Sequence, residues 1–178
     1  MAIRLLVARH GQTQWNAENK VCGRTDLPLT ELGIQQAQNL ADILGKDTVD
    51  IILSSPLERA YHMSRIISAA CGAEVLTDYR RIEQNYGIYE GVDRKDPGFL
   101  ENKRHFAWKY PGGESMMQLA HRVYGLLDEL RERYDGKTVL LVCHGGVCRV
   151  IHTYFADMTN EEYFRYSPDN ASVMTYSL

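Results

Sequence analysis

Two histidines each follow an apolar run, one near either end of the chain. The segment LLVARHG places Arg9 and His10 directly after such a run, and LLVCHGG places His144 in the same position. If both runs are strands of an open α/β sheet, their carboxyl ends lie where ligands bind in that architecture. Gly145 allows a ligand to approach the backbone closely, and the N–H groups of a following helix favour an anion. This arrangement predicts a phosphate site.

Arg59 supports a phosphate site independently. It falls in the first turn or so of the helix predicted after SSPLERA, where the helix dipole disfavours a cation. Residues that break a local rule often belong to functional sites. Arginines such as Arg9 and Arg59 hold a phosphoryl group through bidentate, charge-assisted hydrogen bonds that lysine does not match in geometry. Alone, Arg59 could equally be a surface arginine paired with a carboxylate, but two arginines with two histidines favour the phosphate site.

The spacing of apolar residues predicts alternating strands and amphipathic helices. Strands are expected at residues 3–8, 49–53, near 75, 138–143 and 172–176, and helices at about 30–44, 55–72, 114–134 and after Gly146. Thr30 and Ser55 are the expected N-caps of the first two helices, and Gly45 and Gly72 should end them. This order predicts an α/β fold, a three-layer sandwich with a mostly parallel central sheet.

The composition predicts one domain over residues 1–178. A chain of 178 residues with 44% hydrophobic residues can bury one real core and is short for two. Its net charge of −3 comes without the basic run that would follow a nucleic-acid backbone or an anionic membrane, so neither partner is expected. Short apolar segments and irregularly spaced cysteines indicate a cytoplasmic protein with reduced thiols. Whether the chain is a monomer or a homodimer stays open.

Metal chemistry is disfavoured at the predicted site. A zinc site on Cys143, His144 and Cys148 would lack the second ligand pair that makes such spacing specific. A metal hydrolase would use His10, His144 and Glu83 as ligands. It would place the positive charges of Arg9 and Arg59 beside a divalent cation, which is electrostatically unfavourable. We therefore expect no metal and no cofactor.

An ordered set of motifs carries a family resemblance. RHGQTQWN, GRTDLPLTELGIQQA, SSPLERA, IEQNYGIYEG, PGGES and VCHGG, in this order, resemble the histidine phosphatase superfamily, which includes the cofactor-dependent phosphoglycerate mutases. The resemblance runs from about Ile3 to the last predicted strand and implies a phosphoglycerate mutase-like fold. It also implies that His10 is a nucleophile that becomes phosphorylated, which divides one difficult displacement into two easier ones.

The resemblance implies roles for further residues. Arg9, Arg59 and His144 would surround the phosphoryl oxygens. Glu83 would protonate the leaving alkoxide and then activate water, although Glu90 in the motif YEG stays open as an alternative proton donor.

Other positions match the phosphate- or substrate-contacting part of the pattern. These candidate binding residues are Asn16, Cys22, Gly23, Tyr86, Gly145 and Asn170. Gly23 would act through the backbone around it, and Tyr86 would form an aromatic wall beside the site or pack in the core.

Within the family, the sequence favours hydrolysis over isomerisation. The connection between the proposed acid and the second histidine is shorter than in the mutases, and RHGQT fits the phosphatase branch. We therefore expect a metal-independent phosphomonoesterase of the histidine acid phosphatase type that acts on a small phosphorylated metabolite. The alternatives are mutase-type phosphoryl transfer and a non-catalytic module that binds a phosphorylated ligand.

Residues 90–113 form an insert rich in basic and aromatic residues. We predict that this insert is a partial lid and a specificity element, in which Lys103 and Arg104 contact a second anionic group of the substrate. The alternative is an amphipathic helix with a solvated basic face that packs on the domain.

Overall fold

The computed structural model describes residues 2–46 and 48–178. Within these residues, one five-stranded sheet consists of β1 (Arg4–Arg9), β2 (Ile51–Ser54), β3 (Glu74–Thr77), β4 (Thr138–Cys143) and β5 (Val173–Ser177). The strand order is β3-β2-β4-β1-β5, and every neighbouring pair is parallel except β1 with β5. The predicted α/β fold with a mostly parallel sheet is confirmed, and the antiparallel strand β5 lies at one edge.

Helices cover both faces of this sheet. In chain order, the α-helices of the described residues are α1 (Gln14–Ala17), α2 (Glu31–Leu44), α3 (Glu58–Cys71), α4 (Pro97–Lys103), α5 (Met116–Arg133), α6 (Gly145–Phe155) and α7 (Asn160–Arg165). Buried residues of α2 and α3 pack against one face, and those of α5 and α6, with Tyr163 of α7, pack against the other. The layers are therefore helix, sheet and helix.

The central strands are apolar because both of their faces are covered. In β1, Leu5 and Val7 belong to the core on the α5 and α6 side, whereas Leu6 and Ala8 belong to the core on the α2 and α3 side. Side chains of a strand alternate between faces, so a strand buried on both sides needs a continuous apolar run. Burial of each such leucine or valine contributes about 1.5–3 kcal/mol, which holds the strand ends firmly in place.

Helix α3 begins later than its sequence predicts. Ser55 is not its N-cap: the helix starts at Glu58, and Leu57 precedes it without any side-chain capping bond. The Ser55 hydroxyl instead accepts a hydrogen bond from the Leu57 N–H at 3.3 Å and contacts His144. By contrast, Thr30 caps α2 as expected.

Part of the insert at residues 90–113 is helical. The insert contains the short helix α4, whose N-cap is Asp96. Phe99 and Tyr110 join Val21 in a small apolar cluster of their own, against which Tyr86 and Tyr89 pack. The insert is therefore anchored beside the main core.

In residues 2–46 and 48–178, no helix combines the length and the apolar character needed to cross a bilayer.

Candidate active site

The two histidines meet at the carboxyl ends of two central strands. Strands β1 and β4 are parallel neighbours, with Arg9 opposite Cys143, so the residues that follow each strand emerge side by side. The ring centroids of His10 and His144 lie 5.1 Å apart. Both histidines are buried, at 3% and 0% exposure. Residues separated by more than 130 positions in sequence thus share one small volume, as the strand pattern predicts.

The hydrogen bonds of His10 define which ring nitrogen carries the proton and which carries the lone pair. Nδ1 lies 2.7 Å from the carbonyl oxygen of Gly11. Because a carbonyl only accepts hydrogen bonds, Nδ1 carries the proton and Nε2 carries the lone pair. Burial, followed by repulsion from Arg59 and Arg9, holds the pKa of His10 well below its usual range. His10 is therefore neutral at neutral pH and presents a nucleophilic Nε2.

Arg59 is a buried part of the site and not a surface arginine. Its side chain is fully buried, and its Nε donates to His10 Nε2 at 3.3 Å. Its two terminal nitrogens donate to the carbonyl oxygens of Gly23 and Thr25 at 2.6 and 2.9 Å. The surface ion pair considered for Arg59 is therefore wrong, because its guanidinium is enclosed beside His10.

Arg9 brings a second guanidinium to the same place. Its Nη1 donates to the carbonyl oxygen of Pro168 at 2.6 Å, and its buried Nε has no hydrogen-bond partner among the described residues. Burial lowers the pKa of Arg9, with a further contribution from Arg94. Neither Arg9 nor Arg59 forms an ion pair with a carboxylate in the described part of the chain. Their charge is available to an anionic ligand.

His144 forms a hydrogen bond with Ser55. Its Nε2 lies 2.7 Å from Ser55 Oγ, and its buried Nδ1 has no partner within residues 2–46 and 48–178. Burial, together with Arg59 and His10, holds the pKa of His144 well below its usual range. His144 is therefore also neutral at neutral pH.

Glu83 lies at the amino end of helix α6. Its Oε2 accepts the N–H of Gly146 at 2.9 Å, and its Oε1 accepts the N–H of Gln84 at 2.8 Å. A Cβ at Gly146 would lie 2.6 Å from Glu83 Oε1, so only glycine allows the carboxylate this approach. Arg122 donates to the Glu83 carbonyl oxygen at 3.1 Å and holds the segment in place. Glu83 is 4% exposed and borders the same cavity as His10.

Glu90 has a different task from Glu83. Its carboxylate oxygens accept hydrogen bonds from four backbone N–H groups and one hydroxyl, those of Gly23, Arg24, Thr25 and Tyr86 and the Thr25 side chain. These donors hold the carboxylate of Glu90 in place, and Glu90, unlike Glu83, does not line the cavity that His10 borders. The geometry therefore favours Glu83 over Glu90 as the acid.

A cavity of about 150 Å³ lies in front of these groups. The sequence candidates on its wall are Arg9, His10, Asn16, Cys22, Glu83, Tyr86 and Gly145. Arg59, His144, Gly23 and Asn170 are not part of this wall, but Arg59 and His144 contact His10 directly. Asn170 donates to the carbonyl oxygen of His10 at 2.9 Å, and Gly23 uses its N–H on Glu90 and its carbonyl on Arg59. Gly23 and Asn170 thus contact the site residues rather than the cavity.

Three further cations line the cavity. Arg94, Lys103 and Arg149 each donate to a backbone carbonyl oxygen, and none pairs with a carboxylate of the described residues. Burial, then repulsion from Arg149 and Arg94, lowers the pKa of Lys103 to about 8. Arg104 is exposed and lies outside this cavity. Sequence reasoning missed Arg149, although its position one helical turn after Gly145 was a usable signal.

Together, the fold and the site define an α/β protein whose positively charged cavity surrounds a neutral histidine. The chain belongs to the histidine phosphatase superfamily (branch 1), whose family model matches residues 5–178.

Some relatives of this chain are named as phosphatases and others as mutases. Phosphoserine phosphatase 1 of Hydrogenobacter thermophilus is 31% identical over 177 residues, which cover 96% of this chain and 84% of the relative. Phosphoglycerate mutase-like protein 4 of Arabidopsis thaliana is 34% identical over 158 residues, covering 83% of this chain and 69% of the relative. The solved structure of mycobacterial glucosyl-3-phosphoglycerate phosphatase is similar with a TM-score of 0.86 at 30% identity, covering 99% and 91% of the two chains.

Proposed function

We propose that this chain is a phosphomonoesterase of the histidine acid phosphatase type that hydrolyses a small phosphorylated metabolite through a phosphohistidine at His10. The observation that carries the proposal is the state of His10. Its Nδ1–H is fixed on Gly11, so that a neutral Nε2 lone pair lies beside Arg59 and close to the cavity that Glu83 borders. A module that only captured a phosphorylated ligand would need neither an unprotonated Nε2 nor a buried carboxylic acid.

In the first step, His10 Nε2 attacks the phosphorus atom in line with the leaving oxygen. The new P–N bond forms as the bond from phosphorus to the ester oxygen breaks, and protonated Glu83 gives its proton to the departing alkoxide. Arg9 and Arg59 neutralise the charge on the transferring phosphoryl oxygens, which a metal ion would otherwise do. We therefore propose that neither a metal nor a cofactor takes part.

In the second step, water replaces the alcohol. Ionised Glu83 takes a proton from a water molecule, whose oxygen then attacks phosphorus and displaces His10 Nε2. Inorganic phosphate leaves, and both the neutral histidine and the protonated acid are restored. One carboxylic group thus serves both steps, first as an acid and then as a base.

The cations Arg94, Lys103 and Arg149 support a substrate with a second anionic group. They lie on the wall of the same cavity as His10 and have no carboxylate partner in the described chain. Phosphoserine and glucosyl-3-phosphoglycerate, the substrates in the names of two relatives, each carry a carboxylate near the phosphate ester. We therefore propose phosphorylated carboxylic acids as the substrate class, and residues 90–113 as the specificity element and partial cover of one domain spanning 1–178.

The mutase alternative rests on the Arabidopsis relative. A mutase must return the phosphoryl group from the histidine to a hydroxyl of the phosphoglycerate before water attacks the phosphohistidine. Product analysis separates the two activities, because hydrolysis releases inorganic phosphate and isomerisation conserves the ester.

The test is product analysis with 3-phosphoglycerate, phosphoserine and p-nitrophenyl phosphate as substrates, each with and without EDTA. We expect inorganic phosphate as the main product from all three, the highest kcat/KM for a carboxylated ester, and rates that EDTA does not change. Conversion of 3-phosphoglycerate to its isomer without phosphate release would identify a mutase. Loss of turnover on chelation, restored by added metal, would contradict the charge role of the arginines.

A further inference from the structure

Ser55 is a fully buried hydroxyl in direct contact with the site, and the two chemical steps above do not use it. Its Oγ lies 2.7 Å from His144 Nε2 and accepts the Leu57 N–H at 3.3 Å. Ser55 and His144 are both 0% exposed. The contact joins the segment before helix α3 to the residue before helix α6, so it links two separate elements of the active site.

The hydrogen bonds around His144 favour one tautomer. A neutral imidazole has one N–H donor and one acceptor nitrogen. If Ser55 donates its O–H to Nε2, the proton of His144 is on Nδ1, and only that N–H lacks a partner in the described residues. If Nε2 donates to Ser55 instead, both the serine O–H and the Nδ1 lone pair lose their partners. Since unsatisfied buried polar groups are costly, the first arrangement is favoured.

We propose that Ser55 is a positioning residue that fixes His144 as its Nδ1–H tautomer, so that Nδ1–H donates to the phosphoryl group. The part concerning the phosphoryl group rests on the proposed phosphatase function. His144 and His10 both lie at the carboxyl ends of central strands, with ring centroids 5.1 Å apart. A group transferred to His10 therefore lies within reach of His144. A donor in this position stabilises charge as it develops in the transition state.

The buried partnerless Nδ1 also favours a ligand contact. Buried ring nitrogens normally find a hydrogen-bond partner. His144 Nδ1 finds none in the described chain, while its other nitrogen is held at 2.7 Å. With Nε2 bound to Ser55 and Nδ1 unpaired in the described residues, His144 has one ring nitrogen left to bind the substrate.

The experiment measures the tautomer directly. Long-range ¹H–¹⁵N spectra of ¹⁵N-histidine-labelled protein report which ring nitrogen carries the proton, and His144→Gln assigns the signals. We expect the Nδ1–H form in the native protein and a shift of its Nδ1 resonance on addition of inorganic phosphate. An Nε2–H form in the native protein, or no response of Nδ1 to saturating phosphate, would overturn the proposal.

Substitution of Ser55 then tests the consequence. In Ser55→Ala we expect loss of the fixed tautomer and a fall in kcat of about 10- to 100-fold, while KM changes by less than about 3-fold. Ser55→Thr retains a hydroxyl and should recover most of the activity and the native tautomer. Ser64→Ala is the matched control, because Ser64 is an equally buried serine on helix α3 whose hydroxyl bonds Ser54 and Ala60 instead.

The two proposals can fail separately. Native kcat and an unchanged tautomer in Ser55→Ala would contradict the role of Ser55, whatever the enzyme hydrolyses. A protein that shows the expected tautomers but leaves phosphate esters intact would contradict the phosphatase proposal, and Ser55 would still be shown to position His144.

Discussion

Lys103→Met should weaken binding of carboxylated substrates selectively. Lys103 lies on the wall of the cavity beside Arg94 and Arg149, and its pKa of about 8 leaves it mostly protonated at neutral pH. A hydrogen bond from a charged group to its partner contributes about 1.5–3 kcal/mol. At about 1.4 kcal/mol per tenfold, KM for phosphoserine or 3-phosphoglycerate should rise by roughly 10- to 100-fold. Turnover at saturation should barely change, because the lost contact is equal in ground and transition states.

Stability provides an internal check on this variant. The folded protein lowers the pKa of Lys103 because burial and two neighbouring arginines disfavour its charge. The unfolded chain therefore binds the Lys103 proton more tightly, and the resulting penalty on folding is fully present below about pH 8 and disappears as the pH rises towards the unfolded value of about 10.4. Lys103→Met removes the penalty, so its melting temperature at neutral pH should equal or exceed that of the native protein. A loss of affinity would then not reflect unfolding.

The assay is steady-state kinetics with two substrates and two variants. p-Nitrophenyl phosphate lacks a carboxylate, so its KM should stay within about 3-fold in Lys103→Met. Arg104→Met is the control, because the exposed Arg104 neighbours Lys103 in sequence but lies outside the cavity. Equal effects on carboxylated and plain substrates, or equal effects of the two variants, would refute the reasoning.

Three further predictions test other parts of the site. In Glu83→Gln, the rate of hydrolysis should fall by about 10²- to 10⁴-fold. p-Nitrophenyl phosphate should still give a burst of p-nitrophenol, because its good leaving group needs no acid, whereas dephosphorylation of His10 needs the base. Native-like steady turnover without a burst would argue against this role of Glu83. Gly146→Ala should reduce kcat by at least about 10-fold, because the new Cβ would lie only 2.6 Å from Glu83 Oε1 and force the carboxylate to move. Gly125→Ala is the control and should leave activity intact, because a Cβ there meets nothing within 4 Å. Because His10 stays neutral in the folded protein, its pKa being held low chiefly by burial, acid should favour the unfolded chain. As the pH falls from about 6.5 to 5.5, this histidine should lower the free energy of unfolding by about 1 kcal/mol. In urea titrations, the stability of His10→Asn should therefore depend less on pH than that of the native protein.

Strand positions were predictable because burial on both faces leaves a simple pattern. The prediction for residues 138–143 matches β4, and the placement of Arg9, His10 and His144 at strand ends follows from the same apolar runs. Thr30 and Gly72 were also readable, because capping depends on neighbours in sequence.

Contacts between distant segments were not predictable in the same way. Ser55 has the local signature of an N-cap, yet its hydroxyl contacts His144, 89 positions away. Helices α4 and α7 have seven and six residues, too short for a helical period to stand out, and tertiary packing of Phe99 and Tyr163 stabilises them. Likewise, the choice between Glu83 and Glu90 depends on which carboxylate borders the cavity beside His10, and only Glu83 does.

The most direct test of the central claim is to find where the phosphoryl group resides during turnover. The protein is mixed with ³²P-labelled phosphoserine, quenched rapidly without acid, digested and mapped by mass spectrometry, with His121→Asn, an exposed histidine on helix α5, as the control for His10→Asn. We expect label on His10 that is labile to acid and stable to base, present in His121→Asn and absent together with turnover in His10→Asn. Label on a serine or cysteine, or full activity of His10→Asn, would contradict the phosphohistidine mechanism.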